Sequence, residues 1–274
     1  MSDTPEPVAV RPAATVMLVR DADQDRLEVF LMRRHAAMEF AAGMTVFPGG
    51  GVDDRDRNAD IAWYGPDPTW WAERFGVETG LAEALVCAAA RETFEESGVL
   101  FAGRSDDPDG IVADASVYHR ERAALEDRSL SFGDFLRSEN LVLRADLLRP
   151  WSNWVTPEEE RTRRYDTYFF VGALPAGQRA DGHNTESDRA GWARPEAAIT
   201  DFAEGRALLL PPTWSQLDSL TGRTVADVLA LERQIDKVQP KLTVVKDNWE
   251  IEFFDADRYN AARRQARGRL GEDG

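Results

Sequence analysis

The stretch Leu81–Phe101, LAEALVCAAARETFEESGVLF, constrains the fold more than any other in the chain. Its periodicity predicts a helix that ends in acid and runs into a short apolar strand, with Gly98 where a helix commonly stops. On the helical wheel Val86, Cys87, Ala90 and Phe94 share one side. Glu92, Glu95 and Glu96 take the other at offsets of three and four, which brings their Cβ atoms to about 5–6 Å. Like charges at that spacing each cost a helix roughly 0.2–0.5 kcal/mol. They also occupy the last turns, where the negative end of the macrodipole disfavours carboxylates. A hard cation reverses that sum, because Mg²⁺ takes oxygen ligands, keeps several waters and is commonly shared with substrate phosphates. The helix end therefore reads as a site for Mg²⁺ or Mn²⁺, with Glu92, Glu95 and Glu96 as ligands.

At these residues the chain resembles a known family. Arg91-Glu92-Thr93-Phe94-Glu95-Glu96-Ser97-Gly98-Val99, with Glu83 eight positions before Arg91, resembles the Nudix box, G-x5-E-x7-R-E-U-x-E-E-x-G-U, where U is aliphatic. The upstream glycine is assigned to Gly50 of Phe47-Pro48-Gly49-Gly50-Gly51-Val52-Asp53. Thr93 stands where an aliphatic residue is usual, and 32 residues separate Gly50 from Glu83 where the pattern has five, an insertion of 27. That combination is similar to a Nudix subgroup whose better-known members hydrolyse coenzyme A and its acyl esters and carry an insertion inside the box. A second match lies far from the box: Thr156-Pro157, then Arg164-Tyr165-Asp166-Thr167-Tyr168-Phe169-Phe170, follows that subgroup's order. The resemblance implies an α/β (α+β) fold, a Nudix-type α/β/α sandwich with a mixed β-sheet plus helical insertions. It also implies a metal-dependent hydrolase of a diphosphate linkage.

Composition narrows the partners. A formal charge of -16 argues against a nucleic-acid partner, which usually meets a basic face. An anionic substrate is repelled at long range by the same charge, so local cations must capture it. Of the 33 basic residues only Lys237, Lys241 and Lys246 are lysine, and arginine is the better bidentate phosphate ligand. Cys87 is the only cysteine, which excludes an internal disulfide and a cysteine-rich zinc site. No signal peptide and no apolar run near the 18 residues of a membrane span are seen, so no membrane partner and a cytoplasmic location are expected. The expected partner is a small-molecule diphosphate; a homodimer is compatible with the sequence.

In chain order, a loose tail is expected over 1–10, a single domain over 11–260 with insertions at about 54–80 and 103–148, and a polar tail over 261–274. Ala14–Val19 and Leu27–Met32 are expected to pair as a hairpin, and Thr45–Phe47 as a short strand leading into the glycines. The insertion holds Trp63, Tyr64, Trp70, Trp71 and Phe75, too many aromatics for a linker. One helix near Pro68–Phe75 packed on the body is expected, with core filling favoured over stacking on a ligand. Helices are expected at Ala115–Asp127, at Ser131–Glu139 with Ser131 as N-cap, at Pro195–Glu204, from Pro211 with Thr213 as N-cap, and at Thr224–Ile235. Strands are expected at Trp151–Val155 and Tyr165–Val171. Leu242–Val245 and Trp249–Phe254 are expected as a hairpin around Lys246-Asp247-Asn248, and a frayed helix after Tyr259.

Diphosphate hydrolysis needs charge neutralisation, a positioned water and a route for its proton. Arg91 lies beside the acidic face and can orient a glutamate; Glu83 suits the positive end of the helix dipole, and the resemblance implies a supporting role for it. Two bases stand open, Glu92 inside the box and Glu186 in the segment before Trp192. Substrate contacts are expected from Gly49 and Gly50, where the backbone can approach closely, from Arg163 and Arg164 at a strand entrance, and from Arg34. His35, His119 and His183 lack metal-ligand spacing. Arg34-His35-Ala36 and Gly43-x3-Phe47-Pro48-Gly49-Gly50 resemble the two ends of a coenzyme A signature; Glu39 or Phe40 stands where its middle arginine is usual, and the spacing is one residue short. Coenzyme A or acyl-CoA is thus one reading. ADP-ribose, NADH or a nucleotide sugar is another, and a non-catalytic binding module of the same fold a third.

Overall fold

A computed structural model describes residues 8–22, 26–35, 41–57, 59–107, 110–245 and 248–272. The middle of the coenzyme A signature, residues 36–40, the first seven residues of the tail and the hairpin residues Lys246 and Asp247 lie outside the described residues. The elements run β1 (Val10–Ala22), β2 (Arg26–Arg34), β3 (Thr45–Val46), β4 (Gly49–Gly51), β5 (Trp63–Tyr64), α1 (Pro68–Phe75), α2 (Thr79–Ser97) and β6 (Ala102–Arg104). A 3₁₀ turn at Ala115–Tyr118 leads to α3 (His119–Glu126), α4 (Phe132–Ser138) and β7 (Leu141–Arg144). A second at Ala145–Leu147 leads to β8 (Leu148–Val155), β9 (Arg164–Ala173), β10 (Ser187–Ala193), α5 (Pro195–Ala203), α6 (Pro211–Leu220) and α7 (Val225–Ala230). β11 (Lys237–Val238), β12 (Lys241–Val245), β13 (Asn248–Glu252) and α8 (Ala256–Glu272) close the chain.

The main sheet runs β10-β2-β1-β9-β8-β11, with β3 on β2 and β4 on β1. It is mixed: β1 pairs antiparallel with β2 and β4 but parallel with β9 over Val10↔Arg164 to Val19↔Ala173. Side chains on a strand alternate between faces, and both faces are apolar here. Val16, Leu18, Phe30, Met32, Tyr168 and Phe170 enter one core with α1 and α2. Met17, Val19, Leu31, Phe169 and Val171 enter the other with α5, α6, α7 and α8. The result is the expected α/β/α sandwich. No helix among the described residues is long and apolar enough to cross a membrane.

α2 departs from its two-faced expectation. From Ala82 to Ser97 nearly every residue is buried, including Glu96. Two of the inserted aromatics fill core: Trp71 is fully buried and Phe75 nearly so, their rings 5.5 and 5.1 Å from that of Phe170, while Tyr64 is exposed. Three other expectations are corrected. Thr213 does not cap α6; the helix opens at Pro211 after Leu210, and prolines at its first two positions have no N–H to satisfy. The helix expected over Thr224–Ile235 stops at Ala230, where Leu231 turns extended and the chain runs on to pair in β11. β10 was not expected, because its sequence SDRAGWA lacks an apolar alternation.

Candidate active site

The end of α2 meets the glycine strand β4. Gly49 N donates to Glu96 Oε2 at 2.7 Å. A Cβ on Gly50 would lie 2.5 Å from Glu92 Oε1, so any larger residue here would have to displace the Glu92 carboxylate. The last carbonyls of a helix lack partners inside it; here Gly98 closes the helical ladder and the three carbonyls after Phe94 are met from outside it. Phe94 O accepts from Gly98 N at 2.9 Å, Gly98 lying at φ 71 in the left-handed region. Glu95 O accepts from Arg122 Nε at 3.0 Å, Glu96 O from Asn184 Nδ2 at 2.9 Å and Ser97 O from Asp181 N at 2.9 Å. Asn184 Oδ1 in turn accepts from Glu186 N at 3.0 Å and Ser187 N at 2.8 Å. The loop carrying Glu186 is thus docked on the helix carrying the three glutamates.

Arg91 is the hub of the acids. Its Nη1 donates to Glu92 Oε1 at 2.8 Å and Glu95 Oε1 at 3.1 Å, and its Nη2 to Gly51 O at 3.1 Å. Nε and Nη2 also grip both oxygens of Asp56 at 2.9 Å, and the Asp56 side chain is 1% exposed. The Cys87 thiol lies 3.5 Å from Asp56 Oδ1, and burial pushes its pKa well up. Asp56 was missed in the sequence. It stands six positions after Gly50, the distance that G-x5-E sets. Counting forward from Gly50 finds it, whereas counting back from Arg91 finds Glu83. The interruption therefore falls after Asp56, between it and Arg91. Glu83 does not line the cavity described below.

The side chains of Glu92 and Glu95 are 14% and 12% exposed and Glu96 is 5% exposed, which rules out a solvated helix end. Burial lifts Glu92 to about 7 against the pull of Arg91, and raises Glu95 in the same way. Burial and the neighbouring Glu92 push Glu96 well above the carboxylate range. Burial tends to lower Arg91, but the charges of Glu92 and Asp56 outweigh it and hold the guanidinium protonated. Among the described residues no three metal-ligating side chains are gathered into a ready cage; Glu92 and Glu95 face Arg91, and Glu96 faces Gly49. The donors nonetheless fit a hard cation in kind: three carboxylates withdrawn from water, with one arginine among them and charge still to be balanced.

A cavity of about 940 Å³ opens in front of these groups. One face of the sheet is its floor, built from Arg11, Ala13 and Thr15 of β1 and Tyr165, Thr167 and Phe169 of β9. Across the sheet the wall turns apolar at Trp154, Leu210, Pro211, Leu242 and Ile251. Gly49, Gly50, Glu92, Glu95, Glu96, Arg34, Arg163 and Glu186 all line this cavity. Arg164 does not: it is 7% exposed, and its Nε and Nη2 donate to Thr156 O at 3.3 and 3.2 Å. Arg164 opens β9 turned towards Thr156, whereas Arg163, just before the strand, lines the cavity. Arg34 Nη2 donates to Glu186 Oε2 at 3.0 Å, while its Nε is buried without a hydrogen-bond partner among the described residues.

Comparison with known proteins agrees with this geometry. The sequence model of the NUDT19 Nudix domain matches residues 80–220. The chain is 26% identical over 226 residues to the acyl-coenzyme A diphosphatase NUDT19 of Xenopus laevis, covering 70% of this chain and 59% of that protein. It is 28% identical over 249 residues to the Homo sapiens protein of the same name, covering 77% and 64%. It thus spans about three fifths of the length of these relatives. A crystal structure of a Nudix hydrolase from Alicyclobacillus acidocaldarius superposes with a TM-score of 0.68 at 26% identity, over 83% of this chain and 98% of that one.

Proposed function

The chain belongs to the NUDT19 Nudix domain family, and on that premise we propose that it is a divalent-metal-dependent diphosphatase of coenzyme A or acyl-coenzyme A. Its products are adenosine 3′,5′-bisphosphate and a 4′-phosphopantetheine. The observation that carries this is the burial of Glu92, Glu95 and Glu96, none more than 14% exposed, against a glycine strand on the floor of a large cavity. That cavity has arginine on one side and an apolar wall on the other, which suits a substrate with a charged half and an acyl half. Both relatives named above carry the name acyl-coenzyme A diphosphatase. Residues 11–260 are read as one domain, since α1, in the inserted segment, fills the same core as β1 and β9.

Glu92, Glu95 and Glu96 would hold Mg²⁺ or Mn²⁺. A bound ion of this kind neutralises phosphoryl oxygens and acidifies a water. Arg91, fixed by Asp56, orients Glu92 and Glu95 through Nη1. Gly49 and Gly50 let a phosphate reach the main chain, and the unused Nε of Arg34 can donate to it. In hydrolysis the water oxygen bonds to one phosphorus, the bridging P–O bond breaks, and the bridging oxygen leaves with the other phosphate. Glu186 is proposed to take the water's proton: it lines the cavity, is 46% exposed and uses only Oε2 in its bond to Arg34. Glu92, held by Arg91, is the weaker candidate.

Incubation with Mg²⁺ and coenzyme A, followed by chromatography, should show both products in equal amounts. Turnover of ADP-ribose or NADH with none of coenzyme A would reject the substrate. No turnover of any diphosphate would reject the enzyme.

A further inference from the structure

Six arginines line the cavity: Arg11, Arg34, Arg55, Arg91, Arg128 and Arg163. Four of them have partners. Arg34 holds Glu186, Arg55 holds Asp53, Arg91 holds the acids, and Arg163 is likewise engaged. Among the described residues the guanidiniums of Arg11 and Arg128 make no hydrogen bond or ion pair, in a chain whose net charge is -16.

Arg128 is also held in an unusual backbone conformation. It follows α3 at φ 63, in the left-handed region, at the position after a helix where glycine is favoured and a side chain costs energy. Its N–H donates to Leu125 O at 2.9 Å, and its carbonyl accepts from Arg55 Nη1 at 3.1 Å. The turn is thus fixed from both sides while the guanidinium lines the cavity. Strain of this kind persists where the surroundings over-determine it, and it clusters at ligand clamps. Glu126 lies two residues earlier but accepts from Thr185 N at 3.0 Å and does not engage Arg128.

Arg11 comes to the same region by another route. It shares the floor face of β1 with Ala13 and Thr15, and Pro12 O accepts from Val52 N at 3.0 Å. Val52 leads into Asp53, which holds Arg55 at 3.0 Å, and Arg55 reaches Arg128 O. One short loop, residues 52–55, therefore links both unpaired arginines, beside the glycine strand rather than on the apolar wall.

We infer that Arg128 and Arg11 form a second anion subsite, which holds a phosphate of the substrate lying beyond the diphosphate. The inference rests on the reading of this cavity as the site of a nucleoside-diphosphate hydrolase. It narrows that reading, because coenzyme A and its esters carry a 3′-phosphate on the ribose, whereas ADP-ribose, NADH and nucleotide sugars do not. Two guanidiniums also answer the long-range repulsion that an acidic chain exerts on a multiply charged substrate.

The test compares coenzyme A with dephospho-coenzyme A, which lacks only the 3′-phosphate, in the wild type and in Arg128→Gln, Arg11→Gln and Arg128→Gly. Wild type should favour coenzyme A by about tenfold or more in kcat/KM, the scale of a charge-assisted contact. Each Gln variant should bring that ratio towards one, mainly through KM. Arg128→Gly should lower the ratio equally while Tm stays level or rises, since glycine relieves the left-handed turn; a merely structural arginine would not separate the two readouts. Equal kcat/KM for both compounds in the wild type, or an unchanged ratio in all three variants, overturns the subsite and leaves the diphosphatase standing. If neither compound is cleaved, the diphosphatase reading fails, and calorimetry with adenosine 3′,5′-bisphosphate against AMP decides the subsite. Tighter binding of the bisphosphate that Arg128→Gln abolishes upholds it; equal binding overturns it.

Discussion

Glu92 ties the fold's stability to pH. Buried beside Arg91 and raised from 4.5 to about 7, its carboxyl binds a proton more readily in the folded chain than in the unfolded one. Between those two values the folded state holds more protons, so this residue's contribution falls as pH rises through the window and is fully lost above it. The shift corresponds to something on the order of 3 kcal/mol. Urea unfolding of wild type and Glu92→Gln between pH 5 and 8, without added divalent ions, should show the variant gaining on the wild type as pH rises. A gap independent of pH would mean that Glu92 is not held against its charge. The glycines supply a sharper contrast. A Cβ at Gly49 would lie 2.5 Å from Ala14 O, a backbone atom that cannot move aside, whereas at Gly50 it meets only the end of the Glu92 side chain. Gly49→Ala should therefore lower Tm by several degrees, and Gly50→Ala should keep Tm while cutting kcat about tenfold or more by displacing Glu92. Scanning calorimetry and steady-state rates on the two variants check this. The acid cluster was legible in the sequence, because Glu92, Glu95 and Glu96 recur at helical spacing. Asp56 was not, since its partner Arg91 lies 35 positions away and only the fold brings them together.

Elements were legible where their ends are written locally. α1 carries Asp67, which accepts from Trp70 N at 2.9 Å, then Pro68, and finally Gly76 in the left-handed region at φ 66, so its bounds could be read from the ten residues Asp67 to Gly76. β10 has no such signal. It forms because the edge of β2 is open, and Arg33 to Asp188 at 2.6 Å and Arg34 to Glu186 at 3.0 Å staple it there. That pairing carries Glu186 to the cavity, and Asn184 locks the loop before it to α2. Asn184→Asp removes the donor to Glu96 O and adds a charge at the negative end of the helix. It should lower Tm by a few degrees and kcat by about tenfold or more, with KM changed less, because Asn184 spends its side chain on Glu96 O and on the backbone of its own loop. Wild-type kcat in that variant would show that the loop has no part in positioning the site.

At the scale of the molecule, the two cores are separated by one mixed sheet, and the glutamate helix belongs wholly to one of them. The sandwich was legible because buried strands and helices announce themselves by apolar runs. The cavity was not, since its apolar wall is assembled from β8, the start of α6 and the closing hairpin, segments far apart in the chain. Its acidic end gathers three buried carboxylates in a molecule of net charge -16, a charge balance that a bound cation would relieve. Calorimetric titration of Mn²⁺ into the wild type and Glu96→Gln tests that most directly. The wild type should bind the ion saturably, and the variant more weakly by at least about tenfold, the loss seen even when a merely supporting group of a metal site is removed. Equal affinity in the two proteins, or no binding by the wild type, would contradict the assignment of these glutamates to a metal.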